Sequence, residues 1–156
     1  MAVSPRIRTQ VQVMFFDTDC GGVVSNIAYL RFIEIARTLL VEELGLALTE
    51  MAENQRYPVV VRTEIDYRRP ARLGDQLVIE GRLTRVERVR FWCEFQITRP
   101  KDDALIAQCS QMLALIEMPE GKVLRLPGHW EEYRDDDSAG IERASQAPIS
   151  DKKYTQ

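Results

Sequence analysis

Between Asn26 and Leu44 the chain carries a helical pattern whose polar residues, Arg31, Glu34, Thr38 and Glu42, form only a narrow stripe at three- and four-residue spacing. Tyr29, Leu30, Phe32, Ile33, Ile35, Ala36, Leu39, Leu40, Val41 and Leu44 cover well over half of the circumference. A helix that apolar has to be enclosed by other elements. Gly45 stands where a helix commonly ends.

The enclosing material reads as strands. Residues 6–15 place Ile7, Thr9, Val11, Val13 and Phe15 on one face and Arg6, Arg8, Gln10 and Gln12 on the other. In 59–68, Val61, Thr63, Ile65 and Tyr67 alternate with Arg62, Glu64, Asp66 and Arg68. Further strands are expected over 76–86 (Leu77, Ile79, Leu83), 89–98 (Val89, Phe91, Cys93, Phe95, Ile97) and 104–117. The last is apolar on both faces near Met112 to Ile116, as in a central or interface strand. Residues 46–56 read as a loop or a short extra turn, and Pro70–Asp75 and Pro100–Asp103 as turns. Strand, helix, then four strands imply an α+β fold: an antiparallel sheet of about five strands curled around one long central helix. The domain is expected over 1–130, with HWEEY after Pro127 forming a helical turn. Residues 131–156 read as an acidic polar tail, mobile from Asp135 on because it has few apolar groups.

Charge narrows the partners. The net −3 lies entirely in residues 131–156, with seven acidic and four basic side chains, which leaves 17 of each sign in residues 1–130. A balanced body offers no basic footprint for nucleic acid. No apolar stretch approaches the roughly 18 residues of a membrane span, and Met1–Gln12 lacks a signal-peptide core, so a cytoplasmic location is expected. Cys20, Cys93 and Cys109 are widely spaced, which suggests neither a disulfide framework nor a metal site. His129 is the only histidine, so mechanisms that need two are excluded.

Chemistry concentrates in residues 15–37, FFDTDCGGVVSNIAYLRFIEIAR. Asp17 and Asp19 bracket Thr18, Gly21 and Gly22 allow a tight turn, and the following helix offers unpaired N–H groups at its positive end. A carboxylate, a turn and an oxyanion donor are what acyl transfer needs. Either aspartate can fill the chemical role; the competing role is an Asx turn or helix cap, and Asn26 can be the N-cap. Cys20 has no neighbouring histidine to activate it and reads as a small buried filler. Glu34 and Arg37 read as a structural i, i+3 pair, and His129 as a surface residue.

DTDCGGVV (Asp17–Val24) followed by YLRFIEIAR (Tyr29–Arg37), with DYRRPARLGD (Asp66–Asp75) as a second landmark, resembles the hotdog-fold acyl-CoA thioesterases of the 4-hydroxybenzoyl-CoA thioesterase type. The resemblance covers about residues 6–126 and implies hydrolysis of an acyl-CoA thioester to a free acid and coenzyme A. It implies that Asp19 is the catalytic carboxylate, as nucleophile or as general base, with Asp17 left as turn-builder. It further implies that the backbone N–H of Asn26, seven residues after Asp19, polarises the thioester carbonyl. Tol-Pal-associated relatives carry a tyrosine and a histidine where this chain has Phe15 and Asn26, so side-chain acid–base help from those positions is absent. Phe15, Ser25 and Tyr29 are candidates for the acyl pocket. Arg68 and Arg69, with Arg72, Arg82, Arg85, Arg88 and Arg90, are candidates for the coenzyme A phosphates. No cofactor or metal is implied. The family pattern also implies a homodimer with interface active sites, often paired into a homotetramer. The rival readings are a hotdog dehydratase or hydratase, which wants a histidine that residues 1–128 lack, and a non-catalytic acyl-thioester-binding protein.

Overall fold

Ser25 starts the long helix: in the computed structural model, which describes residues 4–133 and 150–153, its hydroxyl accepts the Ala28 N–H at 3.2 Å. The N-cap is therefore Ser25, and Asn26 is the first helical residue, because a hydroxyl in the extended backbone just before the turn is well placed to take an orphan amide. The helix, α1, runs Asn26–Glu43 and ends where Gly45 adopts φ +90°. Its last carbonyls are met from outside, with the Trp130 indole N–H donating to Leu44 O at 2.9 Å.

Around α1 lie β1 (Arg6–Gln12), β2 (Arg56–Tyr67), β3 (Gln76–Val86), β4 (Arg90–Arg99) and β5 (Ala104–Glu117). Two short strands, β6 (Lys122–Val123) and β7 (Ser150–Lys153), and the helix α2 (Leu48–Asn54) complete the described elements. The sheet order is β2-β5-β4-β3-β1-β7, with β6 on β5, and every pairing but β1–β7 is antiparallel. The expected architecture is the observed one. Ala28, Tyr29, Phe32, Ile33, Ala36 and Leu40 of α1 pack into one core with Ile7, Val11, Leu77, Ile79, Phe91, Phe95 and Leu113. Gly81 lets β3 and β4 approach closely, since a Cβ there would stand 2.8 Å from the Phe95 ring. No described helix is long and apolar enough to cross a membrane.

Several expectations need correction. The first strand stops at Gln12, because Val13 leaves the ladder to pair with Gly74 and Asp75 and the chain then enters a 3₁₀ turn at Phe15–Asp17. Phe15 is consequently 81% exposed rather than on the inner face. In β2 the pairing with β5 skips Val61, and this bulge shifts the side-chain phase, so Pro58, Val60 and Ile65 are the half-buried residues. The enclosure of α1 is one-sided: Leu30 is 41% exposed, and Ile35 and Leu39 are half-buried beside a groove of about 440 Å³. Residues 46–56 contain a seven-residue helix. Part of the expected mobile tail, Ser150–Lys153, pairs with Ile7–Gln10 as a parallel edge strand. Main-chain pairing to a free edge needs no apolar side chains. Residues 134–149 and 154–156 of that tail lie outside the described residues.

Candidate active site

Residues 18–24 form a small hairpin closed by the Thr18–Val24 bridge. Asp19 N–H donates to Val23 O at 2.9 Å, and Gly22, at φ +72°, donates to Asp19 O at 3.0 Å. The turn needs a residue without a Cβ at that φ. It presents the Asp19 side chain at the surface, with Oδ1 accepting the Gly21 N–H at 2.9 Å. Cys20 is exposed beside it, which corrects its expected burial; the tip of a two-glycine turn has nothing above it to pack against.

Asp17 does different work. Its side chain is fully buried, Oδ2 accepts the Met14 N–H at 2.8 Å, and Oδ1 accepts from the Arg31 guanidinium at 2.6 Å. Its carbonyl takes the Ser25 N–H at 2.9 Å. The residue thus ties the 3₁₀ turn, the start of α1 and the α1 surface together.

At the head of α1, the Asn26 and Ile27 amides have no acceptor among the described residues, as first-turn amides of a helix normally do not. Asn26 is exposed and lines a groove of about 330 Å³ with Val24, Tyr29, Tyr67, Arg68, Arg69 and Pro70. The two landmark segments, far apart in sequence, meet here: Val24 N–H donates to Ala71 O at 2.9 Å, and Val23 bridges Arg72. Tyr29 is the buried wall. Its hydroxyl accepts the Ala71 N–H at 3.1 Å, its ring packs 5.5 Å from Tyr67, and burial pushes its pKa up. Arg68 is engaged with Gln108 at 3.4 Å and Asp66 at 3.9 Å, whereas the Arg69 guanidinium has no partner among the described residues.

Of the residues singled out in the sequence, Asn26, Tyr29, Arg68 and Arg69 come together in one groove. Asp19, Phe15 and Ser25 are outside its lining, with Asp19 on the adjoining hairpin and Ser25 serving as the helix cap. Tyr67 was not singled out; it was legible only as one position of an alternating strand. Glu34 and Arg37 are 3.7 Å apart, and Arg37 also donates to buried Gln111 at 3.0 Å, joining α1 to β5. His129 is exposed and sits by Leu44 O at the far end of α1, roughly 27 Å from Asn26 at 1.5 Å per residue. No cluster of three or more metal-ligating side chains occurs among the described residues.

Behind the turn, sequence reading also missed the role of Asp75. It is 7% exposed and accepts from the Arg72 N–H at 2.9 Å, Arg99 at 2.8 Å and Lys101 at 3.0 Å. Burial alone would raise its pKa; the Arg72 amide and the two cations outweigh that and hold it at about 2. Because this lies below the ordinary carboxylate value, the stabilisation is complete above about pH 4 and is lost as pH falls through about 2. Asp75→Asn is expected to lose about 2 kcal/mol at pH 7, with the gap to wild type narrowing steadily below about pH 4. Urea unfolding at pH 7 and pH 3 measures this, and an equal gap at both would refute it.

The chain matches the thioesterase-like superfamily over residues 13–135. It is 30% identical to the acyl-CoA thioesterase YbgC of Haemophilus influenzae over 118 residues, which is 75% of this chain and 85% of that relative. The crystal structure of Slr0204, a 1,4-dihydroxy-2-naphthoyl-CoA thioesterase from Synechocystis, superposes with a TM-score of 0.73 at 26% identity, covering 86% of this chain and 98% of that one. The 4-hydroxybenzoyl-CoA thioesterase of Pseudomonas sp. strain CBS-3 shares the fold, with a TM-score of 0.75 at 20% identity over 82% of this chain and 98% of that one.

Proposed function

The chain belongs to the thioesterase-like superfamily, and on that premise we propose that it is a hotdog-fold acyl-CoA thioesterase hydrolysing RCO–S–CoA to a free acid and coenzyme A. Asp19 supplies the carboxylate, attacking the thioester carbonyl or activating water, and the Asn26 N–H takes the developing oxyanion. The observation that carries this reading is the head of α1: Asn26, whose amide has no acceptor among the described residues, lines a groove, and the hairpin bearing an exposed carboxylate adjoins it. Tyr29 and Tyr67 supply apolar wall, and Arg69, whose guanidinium has no partner among the described residues, is better placed than Arg68 to meet a phosphate of coenzyme A. Phe15 and Ser25 flank the site. Hydrolysis by this route uses water alone and needs no cofactor or metal.

The assembly proposed is a homodimer with active sites at the interface, paired into a tetramer, acting in the cytoplasm without nucleic acid. Two features support the dimer. The long edge strand β2 exposes Tyr57, Val59 and Val61, and Phe15, Phe16 and Ile27 beside the hairpin are each more than 60% exposed. A monomer in sedimentation velocity at assay concentration would remove the assembly from the account.

The function is tested by following thiol release from a panel of aromatic, short-chain and long-chain acyl-CoA esters. Turnover with at least one ester, yielding the free acid, is expected. A hydrated or dehydrated acyl-CoA as product would favour a hydratase instead, and no turnover with any ester would favour a binding protein.

A further inference from the structure

We infer that Arg31 is a positioning residue for this site: by gripping buried Asp17 it fixes the hairpin that carries Asp19 against the helix that presents the Asn26 amide. The inference rests on the roles proposed above for Asp19 and Asn26. In the sequence Arg31 belongs to the polar stripe of α1, which by itself predicts a solvated side chain. The structure gives it two attachments. Its Nη2 stands 2.6 Å from Asp17 Oδ1, and its guanidinium lies 5.4 Å from the centroid of the Phe16 ring. Both partners belong to the short segment that leads into the hairpin.

Apart from Arg31, the hydrogen bonds and ion pairs among the described residues join that segment to α1 only through the helix cap. The other three bonds of Asp17 are local: Oδ2 accepts the Met14 N–H and the Asp17 N–H donates to Met14 O within the same turn, and the carbonyl accepts from Ser25, the cap residue. Arg31 lies five residues beyond Asn26 and spans 14 residues of sequence to reach Asp17, so it anchors the hairpin to the body of the helix. The pair is also demanding. Asp17 is fully buried and Arg31 is its one cationic partner among the described contacts, so losing the guanidinium leaves an uncompensated buried carboxylate two residues before Asp19. A shift of about 1 Å between a reacting group and an oxyanion donor can cost a hundredfold in rate.

A merely structural role predicts a less stable protein with unchanged kcat per folded molecule. Positioning predicts more. Arg31→Met is expected to lower kcat about tenfold or more at nearly constant KM, while the Gly21 and Ser25 amides exchange with solvent faster and the β4 amides do not. Arg31→Lys, which keeps a cation within reach of Asp17, recovers most of kcat. In the double variant Arg31→Met/Asp17→Asn no buried charge is left unpaired, so it keeps the test open if Arg31→Met does not fold. Its kcat loss is expected to match that of Asp17→Asn alone rather than the product of two losses. Wild-type kcat in Arg31→Met, no rescue by lysine, or unchanged exchange at Gly21 and Ser25 would overturn the inference. Should wild-type protein hydrolyse no ester, the thioesterase reading fails, and the exchange measurement still decides whether Arg31 holds the hairpin.

Discussion

Replacing Asp19 by asparagine is expected to lower kcat roughly a thousandfold while leaving the thermal unfolding of the protein unchanged. The two outcomes separate because the side chain has two separable functions. One oxygen accepts the Gly21 N–H at 2.9 Å, and an asparagine carbonyl accepts that bond equally well. Asp19 is exposed, so removing its charge leaves nothing buried unpaired. What asparagine cannot do is take a proton from water or attack a carbonyl as an anion. Asp19→Ala removes the turn bond as well and is the poorer probe. If the residue served only as the Asx turn its geometry displays, Asp19→Asn would retain full turnover.

The second large effect is expected at Asn26, and it depends on the backbone. Asn26→Pro should cost about a hundredfold or more in kcat, whereas Asn26→Ala should stay within a few-fold of wild type. Proline is well tolerated at this position: Asn26 is the first helical residue, where no intrahelical acceptor waits for its N–H. The preceding Ser25, at φ −71° and ψ 154°, already has the extended conformation that proline imposes on its neighbour. The Ser25 cap on Ala28 is untouched. Proline therefore deletes one donor with little else, and circular dichroism with steady-state kinetics on both variants reads the difference. Equal activity in the two would move the oxyanion donor elsewhere, with the neighbouring Ile27 amide the next candidate.

Much of this site was legible because its signals are local. The apolar run and Gly45 mark the body and the end of α1, with the cap falling on Ser25 one residue before the expected Asn26, and the DTD–glycine segment marks the hairpin through turn chemistry. Features set by contacts across the sheet were not legible. Alternation carries the first strand on to Phe15, but the carbonyl and N–H of Val13 are taken by Gly74 and Asp75, more than sixty residues away, and the strand ends. Nothing in residues 59–68 announces the bulge at Val61, which is a property of pairing with β5. The anchoring of Asp75 by Arg99 and Lys101 depends on β4 and its following turn lying beside the Pro70–Asp75 turn, and short-range patterns do not carry that proximity. The one-sided burial of α1 is of the same kind. The sequence asks for a helix covered around well over half of its circumference, and the described residues leave Leu30 and Ile27 uncovered at its N-terminal end, which is consistent with the proposed dimer.

The account stands most directly on one comparison: the initial rate of thiol release from the best acyl-CoA substrate by wild-type protein and by Asp19→Asn, at equal concentrations of folded protein. A wild-type rate well above background, falling roughly a thousandfold in the variant, is the predicted result. Turnover by Asp19→Asn at the wild-type rate would contradict the proposal that this carboxylate performs the hydrolysis.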